Sequence, residues 1–412
     1  MNLLSISFKN LRYKALDTTL VIFLLSFGVG IISLMILLQG QITSKFDRNI
    51  KDIDFVLAAK GSPIQSILAN IYHVDVPTGN IPVADAKRII RNPMVEDAIP
   101  LAYGDNYEKY RIVGTNDHYP NHYGCTFAEG RMFEKPFEVT IGSEVARQTG
   151  MKVGSTFTSM HGYDNAATPD PEAHHDHSPF VVVGVFSPSG SVIDQLILTP
   201  VESVWLVHEH GTETAAAAAD AAVDSTLATQ APEREMTAYL IKKRNKGAFG
   251  MLSKQVENTT MQLANVAVEN SRLMNNFGLG LSVITAIAGV IMVLSFISIF
   301  ISLLNSMKER KYELALMRTM GASPFRLFSL IIVEGMLLVL LGVLVGLLLS
   351  RTGLLILSSA MQDEFHYQVN QLAPTGMELL LVAGTLFIGL VASVIPAIRA
   401  MRVDISKTLS NG

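Results

Sequence analysis

The sequence predicts a helical membrane protein of four spans, with a large α+β domain inserted outside the membrane between the first and second. Three observations carry this. Charge is absent from Thr18 to Ser44, from Leu273 to Met307 and from Leu379 to Ile398, and the run from Leu327 to Ser350 is broken only by Glu334. Each run can cross roughly 30 Å of hydrocarbon at about 1.5 Å per helical residue. Hydrophobic residues make up 49% of the chain and its mean hydropathy is +0.34, together higher than a soluble protein usually carries. Between the first two runs, residues 41–272 alternate short β-patterned and helical stretches of ordinary soluble character.

In chain order, residues 1–16 place Leu4, Phe8 and Leu11 at helical spacing opposite Lys9, Arg12 and Lys14, a short amphipathic helix on the inner membrane surface. The first span is residues 17–40, in which Gly28 and Gly30 suit close helix approach; ordinary membrane-helix composition also supplies such glycines. It is too long for a signal-peptide core and is expected to remain as an anchor. The external domain, 41–272, opens with a strand at Ile53–Leu57, a helix from Pro63 to about Tyr72 and a second helix from Pro82. Further strands are expected at Val95–Ala102, Tyr110–Gly114, Val139–Gly142, Ser155–Ser159, Phe180–Phe186, Ile193–Thr199 and Thr237–Ile241. Two polar stretches, 160–178 and 211–232, interrupt the pattern as insertions. A helical pattern from Ala248 runs with few breaks into 273–306, long enough to stand out of the bilayer as a stalk above the second span. Residues 307–326 form a charged elbow, 327–350 the third span, 351–374 an external loop, 375–398 the fourth span and 399–412 a tail.

Lys and Arg set the orientation. Lys9, Arg12 and Lys14 precede the first span, five basic residues fill the elbow, and Arg399, Arg402 and Lys407 follow the last span. The positive-inside rule therefore puts both termini and the elbow in the cytoplasm, with the protein multi-pass in the inner membrane. The external domain holds 20 Lys and Arg against 28 Asp and Glu, which argues against a nucleic-acid partner; membrane lipid is the expected surroundings. The single cysteine, Cys125, rules out an internal disulfide and a cysteine-based metal site.

The elbow, Lys308 to Arg326, reads as a helix leaving the membrane and stopping at Gly321, which suits a left-handed cap. Ser323 and Pro324 then start a new helix back into lipid. Leu314, Met317 and Met320 recur on one side, so the elbow offers either a docking surface for a cytoplasmic partner or merely a charged membrane loop.

Glu309-Arg310, Glu313-Leu314, Leu316-Met317-Arg318 and Met320-Gly321-Ala322 match the "ER-x-x-E-(I/L)-x-(I/L)-(L/M)-R-x-(L/M)-GA" segment of the permease subunits of MacB/FtsX-like ABC transporters. Ile395-Pro396-Ala397-Ile398-Arg399-Ala400 matches that family's "IP-A-x-R-A". Ile141–Ala146 with Gly150–Gly154 partly matches the MacB-type core outside the membrane. The chain thus resembles that family over nearly its whole length. The resemblance implies a homodimer working with two ATP-binding subunits, which carry ATP and Mg²⁺, with Glu309, Glu313, Leu314, Met317, Arg318 and Gly321 contacting them. It implies mechanotransmission: ATP-driven closure moves the external domains to export or extract a substrate, with a periplasmic adaptor or substrate protein as further partner. The alternatives are signalling to an external enzyme, as in FtsX, and metal or haem efflux.

The residues agree with a non-enzymatic role. No Gly-x-x-x-x-Gly-Lys-Ser/Thr motif is present, and no Ser/His/Asp or paired-carboxylate arrangement has a context for catalysis. Glu334 is the only charge well inside a span, about 10 Å from its inner end, and is expected to reach the interface or pair with an elbow arginine. All ten histidines fall on the external side. His161, His174, His175 and His177 in the first insertion, with His208 and His210 before the second, are candidate Zn²⁺ ligands. A solvated polar loop would have the same composition, and neither insertion belongs to the family pattern.

Overall fold

The computed structural model describes residues 3–159, 179–207, 234–365 and 374–402. The chain begins with α1 (Leu3–Tyr13) and α2 (Ala15–Ile50), then β1 (Phe55–Ala59), α3 (Pro63–Asn70), β2 (Ile81–Pro82), α4 (Val83–Ile90) and β3 (Val95–Tyr107). It continues through β4 (Tyr110–Thr115), α5 (His118–Tyr123), β5 (Phe127–Gly130), β6 (Glu138–Ile141), α6 (Ser143–Thr149), β7 (Thr156–Phe157) and β8 (Phe180–Phe186). After a 3₁₀ turn at Val192–Gln195 come β9 (Leu196–Pro200), α7 (201–207), β10 (Glu235–Met236), β11 (Ala238–Lys243), α8 (Ala248–Val256) and β12 (Met261–Asn265). Among the described residues four helices follow: α9 (Val266–Glu309), α10 (Lys311–Thr319), α11 (Pro324–Phe365) and α12 (Gly376–Met401). Contacts divide the chain into one unit of Ser44–Asn275 and another of Met1–Thr43 with Asn276–Gly412.

The Ser44–Asn275 unit is α+β. Its main sheet runs β12-β1-β11-β3-β4-β9-β6-β8-β5, with β7 beside β8. Pairing is antiparallel except for β4 with β9 and β6 with β8. The long β3 joins two halves: Val95 to Leu101 pair with β11, and Ala102 to Tyr107 with β4. Alternation explains β8, whose Phe180, Val182 and Phe186 point into the core while Val181 is exposed. By contrast, β4 is buried at every residue, so its sequence reads as continuous.

The helical run expected from Ala248 into the second span is interrupted. The Thr259 hydroxyl donates to the Val256 carbonyl and accepts from the Met261 amide, closing a turn after α8. Met261–Asn265 then pairs along β1 as an edge strand, and the long helix starts only at Val266.

In the other unit, α2, α9, α11 and α12 are each long and apolar enough to cross a membrane. Their 36, 44, 42 and 26 residues correspond to about 54, 66, 63 and 39 Å. Gly30 of α2 meets Gly346 of α11 so closely that a Cβ on either would lie about 3 Å or less from the opposite backbone, the small-residue contact by which membrane helices approach. Gly28 packs likewise against Met292 of α9. The outward faces are apolar, as at Val290, Leu348, Leu380 and Phe387, which suits lipid.

A polar network inside the α+β unit predicts a pH dependence. The Tyr103 hydroxyl donates to the Ala69 carbonyl, so it can only accept from His73 Nδ1–H at 2.9 Å; Tyr119 therefore donates to His73 Nε2 at 2.8 Å. Burial, and secondarily the Arg111 cation, hold His73 well below its usual value of 6.5. The imidazole is therefore neutral when folded. An unfolded chain takes up that proton near 6.5, so the contribution is complete above this value and is lost as pH falls below it. His122 is lowered in the same direction, chiefly by burial. The melting temperature of the purified protein is expected to fall between pH 7 and 5. His73→Asn, which tolerates the left-handed backbone at φ 54, should flatten that fall; an identical pH profile would exclude His73 as its source.

Candidate functional site: the elbow between the second and third spans

The elbow is built from a break, a short helix and a tight stop. Helix α9 ends at Glu309, and Arg310 departs from helical geometry at φ −102°, ψ 15°. Helix α10 ends in a Schellman arrangement: the Ala322 amide donates to the Met317 carbonyl at 3.0 Å, and the Gly321 amide to Arg318 at 3.1 Å. Gly321 sits at φ 95°, a conformation that side chains resist. Pro324 opens α11 immediately, with the Ser323 carbonyl accepting the Arg326 amide.

The residues singled out from the sequence divide between two faces. Leu314 is 1% exposed and belongs to the bundle core with Leu11, Leu327 and Leu330, and Met317 is partly buried against the same core. The stripe read as the docking face is thus turned inward at these two positions, because the bundle covers it. Arg318 is tied inward too, its Nη1 donating to the Met401 carbonyl at 3.2 Å, at the end of α12. Glu309 and Glu313 are water-exposed but paired, with Lys14 at 2.5 Å and Arg310 at 2.8 Å. The free face of α10 instead carries Tyr312 and Leu316 at 45% exposed, continued by the capping residue Met320 at 70% and by Phe325 on α11. Residues at i, i+4 and i+8 share a helix face, so the spacing of Tyr312, Leu316 and Met320 is the signal that could have found them.

Glu334 reaches neither water nor an elbow arginine directly. It is 4% exposed, and its Oε1 accepts from Ser306 Oγ at 3.4 Å.

A second polar centre was not anticipated. Glu378, 2% exposed, accepts Arg351 through both oxygens at 2.8 and 2.9 Å and Ser33 Oγ at 2.5 Å. Ser350 Oγ lies 2.9 Å from Ser33 Oγ. Glu378 also completes a capping box, accepting the Thr375 amide at 3.0 Å while Thr375 Oγ1 accepts the Glu378 amide. One carboxylate therefore ties α2, α11 and α12 together. The Thr-x-x-Glu spacing before an apolar run was the visible sign of the capping box, though not of the contact among three helices.

The candidate zinc ligands His161, His174, His175, His177, His208 and His210 lie outside the described residues. Among the described residues no group of three or more His, Cys, Asp or Glu is placed to hold a metal.

Four apolar helices with an α+β domain between the first and second define a multi-pass membrane protein. Residues 18–234 match the model of the MacB-like periplasmic core domain, and residues 285–405 that of the FtsX-like permease C-terminal domain. The chain belongs to the MacB/FtsX-like family of ABC transporter permeases. Permeases of this family work with an ABC ATP-binding subunit. Similar solved structures include the periplasmic region of MacB from Actinobacillus actinomycetemcomitans, at 11% identity and TM-score 0.34, covering 56% of this chain and 96% of that one. Another is the extracellular domain of the noncanonic ABC-type transporter YknZ from Gram-positive bacteria, at 12% identity and TM-score 0.30, covering 51% and 99%. No curated protein matches the chain.

Proposed function

We propose that this permease couples ATP hydrolysis in a separate ATP-binding subunit to movement of its external domain, driving export or extraction of a substrate there. The supporting observation is the exposed apolar face of α10, Tyr312, Leu316 and Met320, on an elbow rich in Lys and Arg. Such a patch on a water-facing elbow fits a protein partner. By the positive-inside rule the elbow and both termini are cytoplasmic in an inner membrane. The working assembly in this reading is a homodimer with two ATP-binding subunits, as the family resemblance suggests. Helices α2 and α9 serve as the mechanical links, since each extends well past the length a bilayer needs. The spans contain few ionisable groups to line a hydrophilic route, which favours transmission of movement over conduction.

The test is Leu316→Asp in the intact permease. A charge at the centre of an apolar contact costs several kcal/mol, enough to abolish a micromolar association. The variant should be recovered folded from the membrane without the ATP-binding subunit; normal co-purification would move the contact elsewhere. Separately, we propose from sequence alone that the histidine-rich insertion binds Zn²⁺ with modest affinity. Calorimetry should show binding that weakens as pH falls through about 6.5. Equal binding after His174, His175 and His177 are all changed to Ala would end that proposal.

A further inference from the structure

Glu334 on α11 is buried with its Oε2 lacking any hydrogen-bond partner, and Ser7 Oγ and Asn10 Nδ2 of α1 are likewise buried without partners. Glu334 Oε1 accepts from Ser306 Oγ at 3.4 Å, and Arg310 lies one helical turn after Ser306, its amide donating to the Ser306 carbonyl at 3.2 Å. Lys14 and Asn10 are the other groups that act on this carboxylate. Both cations are engaged elsewhere: Lys14 Nζ with Glu309 Oε2 at 2.5 Å, Arg310 Nε with Glu313 Oε2 at 2.8 Å. Glu309 and Glu313 are more than half exposed, and solvent makes such pairs weak. A buried carboxylate short of partners is, by contrast, costly. Arg310 is also the residue at which the backbone breaks between α9 and α10, held by its own unusual dihedral angles. It thus stands at a pivot, with a weak partner on α10 and an under-satisfied one on α11.

We propose that Glu334 is a positioning residue for the elbow: Arg310 exchanges between Glu313 and Glu334, and the two seatings correspond to two orientations of α10 against the end of α9. With Arg310 on Glu313, its side chain is spent within α10 and the short helix is free to tilt with whatever binds its outer face. With Arg310 on Glu334, the guanidinium supplies the missing partner to Oε2 and draws the start of α10 toward α11. Lys14, in the turn between α1 and α2, pairs with Glu309 at the end of α9 beside the exchange and biases it. The use of this exchange in coupling rests on α10 being the contact for the ATP-binding subunit; the exchange itself does not require it.

Pulsed electron spin resonance on the full chain in lipid nanodiscs decides it. Spin labels go on cysteines at Thr319 and Leu340, both exposed, with Cys125→Ser as background. Glu313→Gln removes the solvent-side seat and should shift the distance distribution toward one component. Adding Glu334→Gln should abolish that shift, a non-additivity expected only when the two carboxylates share one partner. Glu334→Gln keeps the side chain's shape and removes a buried charge, so the variants are expected to fold. Identical distributions for Glu313→Gln and the double variant would overturn the proposal. Co-purification of the ATP-binding subunit, measured alongside, reports on the docking reading alone. Undiminished recovery of that subunit with Leu316→Asp would count against that reading while the distances still decide the exchange.

Discussion

Arg351→Met is expected to destabilise the membrane unit by about 3–5 kcal/mol, the cost of leaving a buried charge without its partner. Glu378 is 2% exposed and makes both of its ionic contacts with Arg351. With that guanidinium gone, it keeps only Ser33 Oγ and the Thr375 amide. Because the same carboxylate joins α2, α11 and α12, the loss falls on three helices together. Arg351→Met with Glu378→Gln should recover much of the stability, since removing both charges removes the unpaired one. Melting of the purified protein in one detergent compares the three forms. A single variant as stable as the parent would mean that the carboxylate finds another partner or a proton.

How much of this was legible beforehand depends on what each feature rests upon. The spans were readable because lipid permits little besides continuous apolar helices, and that constraint acts residue by residue on composition. Strand β8 was readable from its Phe-Val alternation, which is a local pattern. Strand β12 was not, because Met261-Gln262-Leu263-Ala264-Asn265 has no strong β pattern and becomes a strand only through pairing with β1. The elbow's stop was visible in Gly321, since a left-handed cap leaves a one-residue signature. The spacing of Tyr312, Leu316 and Met320 marked one apolar face of α10, but nothing local said whether that face or the one with Leu314 pointed outward. Leu314 and Leu316 are equally apolar, and the choice between them is made by Leu11, Leu327 and Leu330 of distant segments. The Arg351–Glu378–Ser33 centre was hidden for the same reason: its members come from three helices, and no local spacing relates them.

That division of α10 gives the last expected result. Leu314→Asp should abolish folding of the helical unit, whereas Leu316→Asp should leave it folded and only uncouple it. Truncating a buried leucine costs about 2–5 kcal/mol, and Leu314 is 1% exposed among the leucines of α1 and α11. Placing a carboxylate there adds the desolvation of an unpaired charge, several kcal/mol more unless the group takes up a proton. The combined cost is comparable to the entire stability of many domains. Leu316 is 45% exposed, so its aspartate remains in water and costs the isolated permease little. Size-exclusion profiles and melting in detergent separate the two outcomes before any partner is added. If Leu314→Asp were as well folded as the parent, and lost the ATP-binding subunit in the way Leu316→Asp is expected to, then α10 would have to rotate on its axis from the arrangement described. The contact face would then be the one containing Leu314 and Met317.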